Sequence, residues 1–142
     1  MTRLALSLLS LSLSVAACDP ALTTQTAAPP GRTALFEDVT GFWGTVQSYK
    51  LEISQGTAIA VTCSRGGPCT DAALTADNPA LVDARRAALG TLVPNGLNGN
   101  LATESAFVIF GKAPGTTHLH LHAKQGDRDI AVTVVAQPQP RS

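Results

Sequence analysis

All three histidines of the 142-residue chain stand on alternate positions of one short run, His118-Leu119-His120-Leu121-His122. In an extended strand that spacing sends the imidazoles to one face and the leucines to the other. Same-face neighbours lie about 6.6–7 Å apart, which lets two adjacent imidazoles share one metal ion but not all three. A tetrahedral zinc site would need further carboxylate or water ligands from a neighbouring strand. A solvated polar face is the other reading of the same pattern. With Gln125-Gly126 as a two-residue turn, Leu121 faces Ile130 and Leu119 faces Val132, so the apolar pairs share one side. That register sets His122 opposite Asp129, His120 opposite Ala131 and His118 opposite Thr133. The candidate ligand set for zinc, copper or nickel is then His120, His122 and Asp129.

The chain has three cysteines, an odd number. Cys63 and Cys69 flank Ser64-Arg65-Gly66-Gly67-Pro68, and the Gly-Gly-Pro turn can bring the two ends together. In an oxidising compartment they are expected to form a disulfide, worth about 2–2.5 kcal/mol by loop-closure entropy. A metal reading of the pair lacks a second close pair of Cys or His. Cys18 stands apart. Ahead of it lie Arg3 and the apolar run Leu4 to Ser14, eleven residues long. A bilayer-spanning helix needs about 20, so the run suits a secretory h-region.

Small residues and a cysteine follow, Val15-Ala16-Ala17-Cys18. This resembles the lipobox of bacterial lipoproteins. The resemblance implies a signal peptide over 1–17, removal of that segment, and acylation (palmitate among the chains) of Cys18 as the new N-terminus. An ordinary signal peptide with an incidental cysteine is the alternative. Several acyl chains anchor stably, because each buried methylene contributes about 0.8 kcal/mol. Acylation of Cys18 and a Cys63–Cys69 disulfide together use all three thiols.

Composition removes other classes. Ten basic residues balance ten acidic ones, leaving no electrostatic case for a nucleic-acid partner. With 44% hydrophobic and 14% charged residues, the chain is too apolar for a disordered protein. No G-x-S-x-G elbow is present. Gly111-Lys112-Ala113 lacks the spacing and hydroxyl of a P-loop. The carboxylates are scattered. Neither an enzyme nor a cofactor is expected. Phe42, Trp43 and Tyr49 could form a sugar-stacking platform, but core or end-cap roles fit them better. Gly41-Phe42-Trp43 also matches the G-x-W that opens lipocalins, without the long run of regular strands that should follow.

The elements that must position these groups read as short strands. Residues 49–53, 57–63, 108–110, 119–121 and 130–134 alternate with period two. Turn signals fall at Gly66-Gly67-Pro68, Asn78-Pro79, Asn95-Gly96, Asn98-Gly99, Ala113-Pro114-Gly115 and Gln125-Gly126-Asp127. Residues 18–32 are Ala, Thr, Gln and Pro with almost no large apolar side chain, and read as a lipidated cysteine and flexible tether. Residues 33–45 read as a cap or a first strand. Asn78 to Gly90 taken alone has the cap, Pro and Gly signals of a helix.

The wider pattern resembles bacterial Ig-like domains of the Big 2 type over residues 46–136. The motifs are Ala76-Asp77-Asn78-Pro79-Ala80-Leu81-Val82, then Gly111-Lys112-Ala113-Pro114-Gly115-Thr116-Thr117, then two alternating strands, 118–123 and 129–135. The resemblance implies an all-β, Ig-like antiparallel sandwich behind a signal peptide and tether, with a tail at 137–142. It also turns the helix reading into a strand beginning over Pro79 to Val82, with at most a short turn at 83–88. Residues 85–104 exceed the family's segment and read as an exposed loop, and the Cys63–Cys69 pair is an addition. The function expected is a non-catalytic structural or interaction module, lipid-anchored in the bacterial envelope on the periplasmic or surface side. Its partners would be the membrane and a protein, a glycan or another copy. A metal-binding envelope lipoprotein is the alternative.

Overall fold

The computed structural model describes residues 20–40, 47–65, 68–87 and 105–137. Nine strands form two sheets: β1 (Ala21–Thr24), β2 (Ala34–Thr40), β3 (Gln47–Ser54), β4 (Ala58–Ser64), β5 (Ala73–Ala76), β6 (Val82–Arg86), β7 (Ala106–Gly111), β8 (Gly115–Ala123) and β9 (Gly126–Val135). One sheet runs β1-β4-β7-β6 and the other β2-β3-β9-β8-β5. The first order is the A-B-E-D sheet of the immunoglobulin plan, and β5-β8-β9 is its C-F-G sheet. The expected Ig-like β-sandwich is therefore the fold. One pairing departs from antiparallel: β3 lies parallel to β9.

Alternation dictates which side chains fill the space between the sheets. Tyr49, Leu51 and Ile53 of β3, Leu119 and Leu121 of β8, and Ile130, Val132 and Val134 of β9 face Ile59, Val61, Phe107 and Ile109 of the other sheet. The chain crosses from β3 to β4 by a tight turn in which Thr57 N donates to Ser54 O at 3.0 Å and Gly56 takes φ 76°.

The tether expected over 18–32 is corrected. Ala21–Thr24 is an edge strand paired with β4, Leu22 opposite Cys63, and Leu22 is buried. Composition hides this strand because its one large apolar side chain is Leu22. Side chains hold the rest: Thr23 Oγ1 and Thr62 Oγ1 meet at 2.9 Å, and Ala60 N donates to Thr26 Oγ1 at 2.9 Å. The domain thus starts well before residue 46. Of the 33–45 segment, Ala34–Thr40 is a strand, antiparallel to β3, and 41–45 lies outside the described residues.

Helix is not the state of 78–87. Asn78 Oδ1 accepts from Ala80 N, Asn78 O accepts from Leu81 N, and the chain then enters β6 at Val82. Pairing with β7 and complete burial of Val82 override the local helix signals. The strand begins at Val82 itself, and no turn interrupts 83–86. The loop expected over 85–104 begins later, since Arg85 and Arg86 end β6; residues 88–104 and 138–142 lie outside the described residues.

Tyr49 is core, 2% exposed, and stacks on Phe36 with centroids 5.1 Å apart. Burial pushes its phenol pKa up. Its hydroxyl accepts from Leu22 N at 2.9 Å and so fastens β1 across the sandwich. Tyr49→Phe leaves that buried N–H without its acceptor, at a cost of about 1–3 kcal/mol. Denaturant unfolding should show that loss, with faster amide exchange in β1 than in β9. Phe42 and Trp43, the other members of the suggested stacking platform, lie outside the described residues.

Candidate functional site

The histidine strand is β8, and its imidazoles lie on the outer face of the second sheet. Leu119 and Leu121 point inward and are fully buried, as the alternation requires. The register differs from the expected one by two residues. Ala123 pairs with Gly126, so the turn is Lys124-Gln125. His122 then faces Asp127, His120 faces Asp129 and His118 faces Ala131, while Leu119 faces Ile130 and Leu121 faces Arg128. A two-residue shift preserves both faces, which is why the apolar pattern could not detect it.

Tertiary contacts fix the turn instead. Gln125 Oε1 accepts from Thr70 N and its Nε2 donates to Thr70 Oγ1, both at 3.0 Å. Lys124 N donates to Thr70 O at 3.0 Å, and Arg65 donates to Gln125 O at 3.1 Å. The Cys63–Cys69 disulfide, with Cα atoms 5.5 Å apart, shapes the loop that makes these bonds. The disulfide expected from sequence is thus formed.

His120 is the organising residue of the outer face. Its Nδ1 lies 2.6 Å from Asp129 Oδ1 and its Nε2 lies 3.0 Å from Asp77 Oδ1. Asp77 follows β5, and its N donates to His118 O at 3.1 Å. One imidazole therefore bridges carboxylates from both sides of β8. Two carboxylate acceptors demand a donor at each ring nitrogen, which is the imidazolium. The bond to Asp129 does most to hold the His120 pKa above its usual value; burial opposes it, and the bond to Asp77 and the charges of both carboxylates add to the rise. His122 Nδ1 meets Asp127 Oδ1 at 3.2 Å, and His118 Nδ1 lies 3.9 Å from Asp77 Oδ2.

This geometry divides the expected ligand set. Asp129 belongs to His120, and His122 has Asp127. Either nitrogen of His120 would have to give up its carboxylate to take a metal. Among the described residues no group of three or more His, Cys, Asp or Glu is arranged to hold a metal ion. What the arrangement does is clasp the end of β5 to β9 through β8. Asp77 was missed in sequence because it lies 43 residues from His120, although it stands in the turn motif 76–82.

The clasp has a pH dependence whose sign follows from the raised pKa. Its stability contribution is complete below the unfolded value of about 6.5 and is lost as pH rises through the higher folded value. His120→Ala should thus narrow its stability deficit between about pH 5.5 and about pH 9. The deficit at low pH should be at most about 1 kcal/mol, since solvent screens groups this exposed; His120 is 36% and Asp129 68% exposed. Denaturant midpoints of both proteins at the two pH values measure it.

The same face carries a shallow concavity of about 290 Å³ lined by Leu35, Glu37, Lys50, Glu52, Ala131 and Thr133. Charges of both signs ring it, with Leu35 exposed at its edge.

No family model matches the chain, and no curated protein matches it. Among solved structures it is similar to domains 4 and 5 of the S-layer protein SbsC, at 14% identity and a TM-score of 0.40, covering 83% of this chain and 54% of that one. It is also similar to a structure of SbsC domains 4–9, at 17% identity and a TM-score of 0.42, covering 78% of this chain and 16% of that one. The chain spans about half the length of the first and about a sixth of the second.

Proposed function

We propose that the chain is a lipid-anchored protein of the bacterial envelope whose single Ig-like sandwich is a non-catalytic structural or interaction module. The closed Cys63–Cys69 disulfide carries this reading. It leaves Cys18 as the one cysteine outside a disulfide, at the position where Val15-Ala16-Ala17-Cys18 resembles a lipobox. A disulfide also suits an exported protein better than a cytosolic one. The outer face supports the module reading, because its most organised group, His120 with Asp77 and Asp129, is occupied in holding strands together. A protein, a glycan or a second copy would dock on such a surface.

Detergent phase separation tests the anchor. Wild-type protein should partition into the detergent phase, and Cys18→Ser should give a soluble or unprocessed form. Unchanged membrane partitioning of mature Cys18→Ser would refute the anchor.

A further inference from the structure

The clasp on His120 is not symmetric, and the asymmetry decides which strand it lets go. Its Nδ1 meets Asp129 at 2.6 Å, on β9, an inner strand with β3 on one side and β8 on the other. Its Nε2 meets Asp77 at the longer distance of 3.0 Å. Asp77 stands one residue past β5, an edge strand of four residues in which Leu74 alone is buried. Beyond Asp77 the chain crosses to the other sheet, and the far side of that crossover is tied down separately. Leu81 O accepts from Lys112 N at 2.8 Å, and Lys112 Nζ donates to Pro79 O at 2.7 Å. The near side depends on Asp77, through its N–H to His118 O at 3.1 Å and its carboxylate to His120.

A neutral imidazole keeps one N–H and turns a lone pair outward at the other nitrogen. The shorter bond retains that N–H at Nδ1, facing Asp129. Nε2 then points a lone pair at Asp77 Oδ1, and two acceptors 3.0 Å apart repel. No other group on this face replaces the lost donor. His118 Nδ1 lies 3.9 Å from Asp77 Oδ2, outside hydrogen-bond reach. His122 has Asp127 at 3.2 Å. Across β9, strand β3 sets Ser48 opposite Asp129 and Lys50 opposite Ala131, so its one cation on this row is two strands away from β8.

We propose that the His120–Asp77 contact is a proton-operated latch on edge strand β5, closed while His120 is the imidazolium and released at Asp77, not at Asp129, when the ring loses its proton. The inference goes beyond the stability of the whole domain, because it places the opening at residues 73–77 and leaves β8 and β9 paired. The two carboxylates raise the His120 pKa, so the latch is closed below about 6.5 and opens as pH rises through the higher folded value. The β5 end of the sheet is then the part of the sandwich whose order follows ambient pH.

Nuclear magnetic resonance of the wild-type protein at about pH 5.5 and about pH 9 tests the latch. At the lower pH both ring nitrogens of His120 should be protonated. At the higher pH the ring should keep its proton on Nδ1. Amide exchange of residues 73–77, corrected for the intrinsic rate at each pH and referred to Val132 and Val134 of β9, should speed by about two- to fivefold between the two, the share of an exposed ion pair. Asp77→Asn separates a latch from a merely structural contact. Its side-chain amide accepts from the charged ring and donates to the neutral one, so the pH dependence in β5 should vanish while the sandwich stays folded. A neutral ring protonated at Nε2 overturns the direction of release. Exchange in β5 that follows β9 across the pH range, or a pH dependence that persists in Asp77→Asn, overturns the latch itself.

Discussion

Leu119→Ala is expected to lower the unfolding free energy by about 2–5 kcal/mol, the range for truncating a buried leucine in a core that relaxes only in part. Leu119 is fully buried on β8, opposite Ile130 and beside Ala76 of β5. Its neighbour in sequence, His120, lies on the outer face and is held by two exposed carboxylates, so its removal should cost far less. A surface control, Leu35→Ala, should change stability by no more than about 0.5 kcal/mol, since Leu35 is 52% exposed. Urea unfolding of the three variants gives the ranking. If Leu119→Ala proves as mild as Leu35→Ala, β8 does not present its leucines inward.

Opening the Cys63–Cys69 bond should be the other large loss. Loop entropy alone accounts for about 2–2.5 kcal/mol, and both cysteines sit in the core at 1% exposure. Reduction also frees the segment that carries Thr70, whose backbone and hydroxyl hold Gln125 and Lys124. Cys63→Ala/Cys69→Ala should therefore lower the denaturant midpoint and speed amide exchange at the β8–β9 turn before it affects β3. Wild-type protein should show the same shift on adding reductant, and the double variant should not respond to it. A midpoint unmoved by reductant would mean that the bond contributes nothing to the folded state.

These two effects mark where the sequence was legible. Leu119 and Leu121 alternate with histidines, and Ile130, Val132 and Val134 alternate with polar residues, so period two alone placed them on a buried face. The Cys63–Cys69 spacing and its Gly-Gly-Pro turn were equally local. The parts that escaped depend on partners distant in sequence. Strand β1 has little apolar content and exists because β4 and the Tyr49 hydroxyl receive it. Strand β6 carries helix signals that pairing with β7 overrides. The hairpin register turned on Gln125 reaching Thr70, 55 residues away, since a two-residue slip leaves every face unchanged. The same slip moved Asp129 from His122 to His120, and so turned an expected ligand set into a carboxylate–imidazolium–carboxylate clasp.

The anchor is read most directly from the N-terminal peptide of protein recovered from membranes. Digestion and mass measurement should find a peptide beginning at Cys18 whose mass includes acyl chains on that residue. A peptide beginning at Cys18 without added mass, or a chain that still begins at Met1, would contradict a lipid-anchored envelope module.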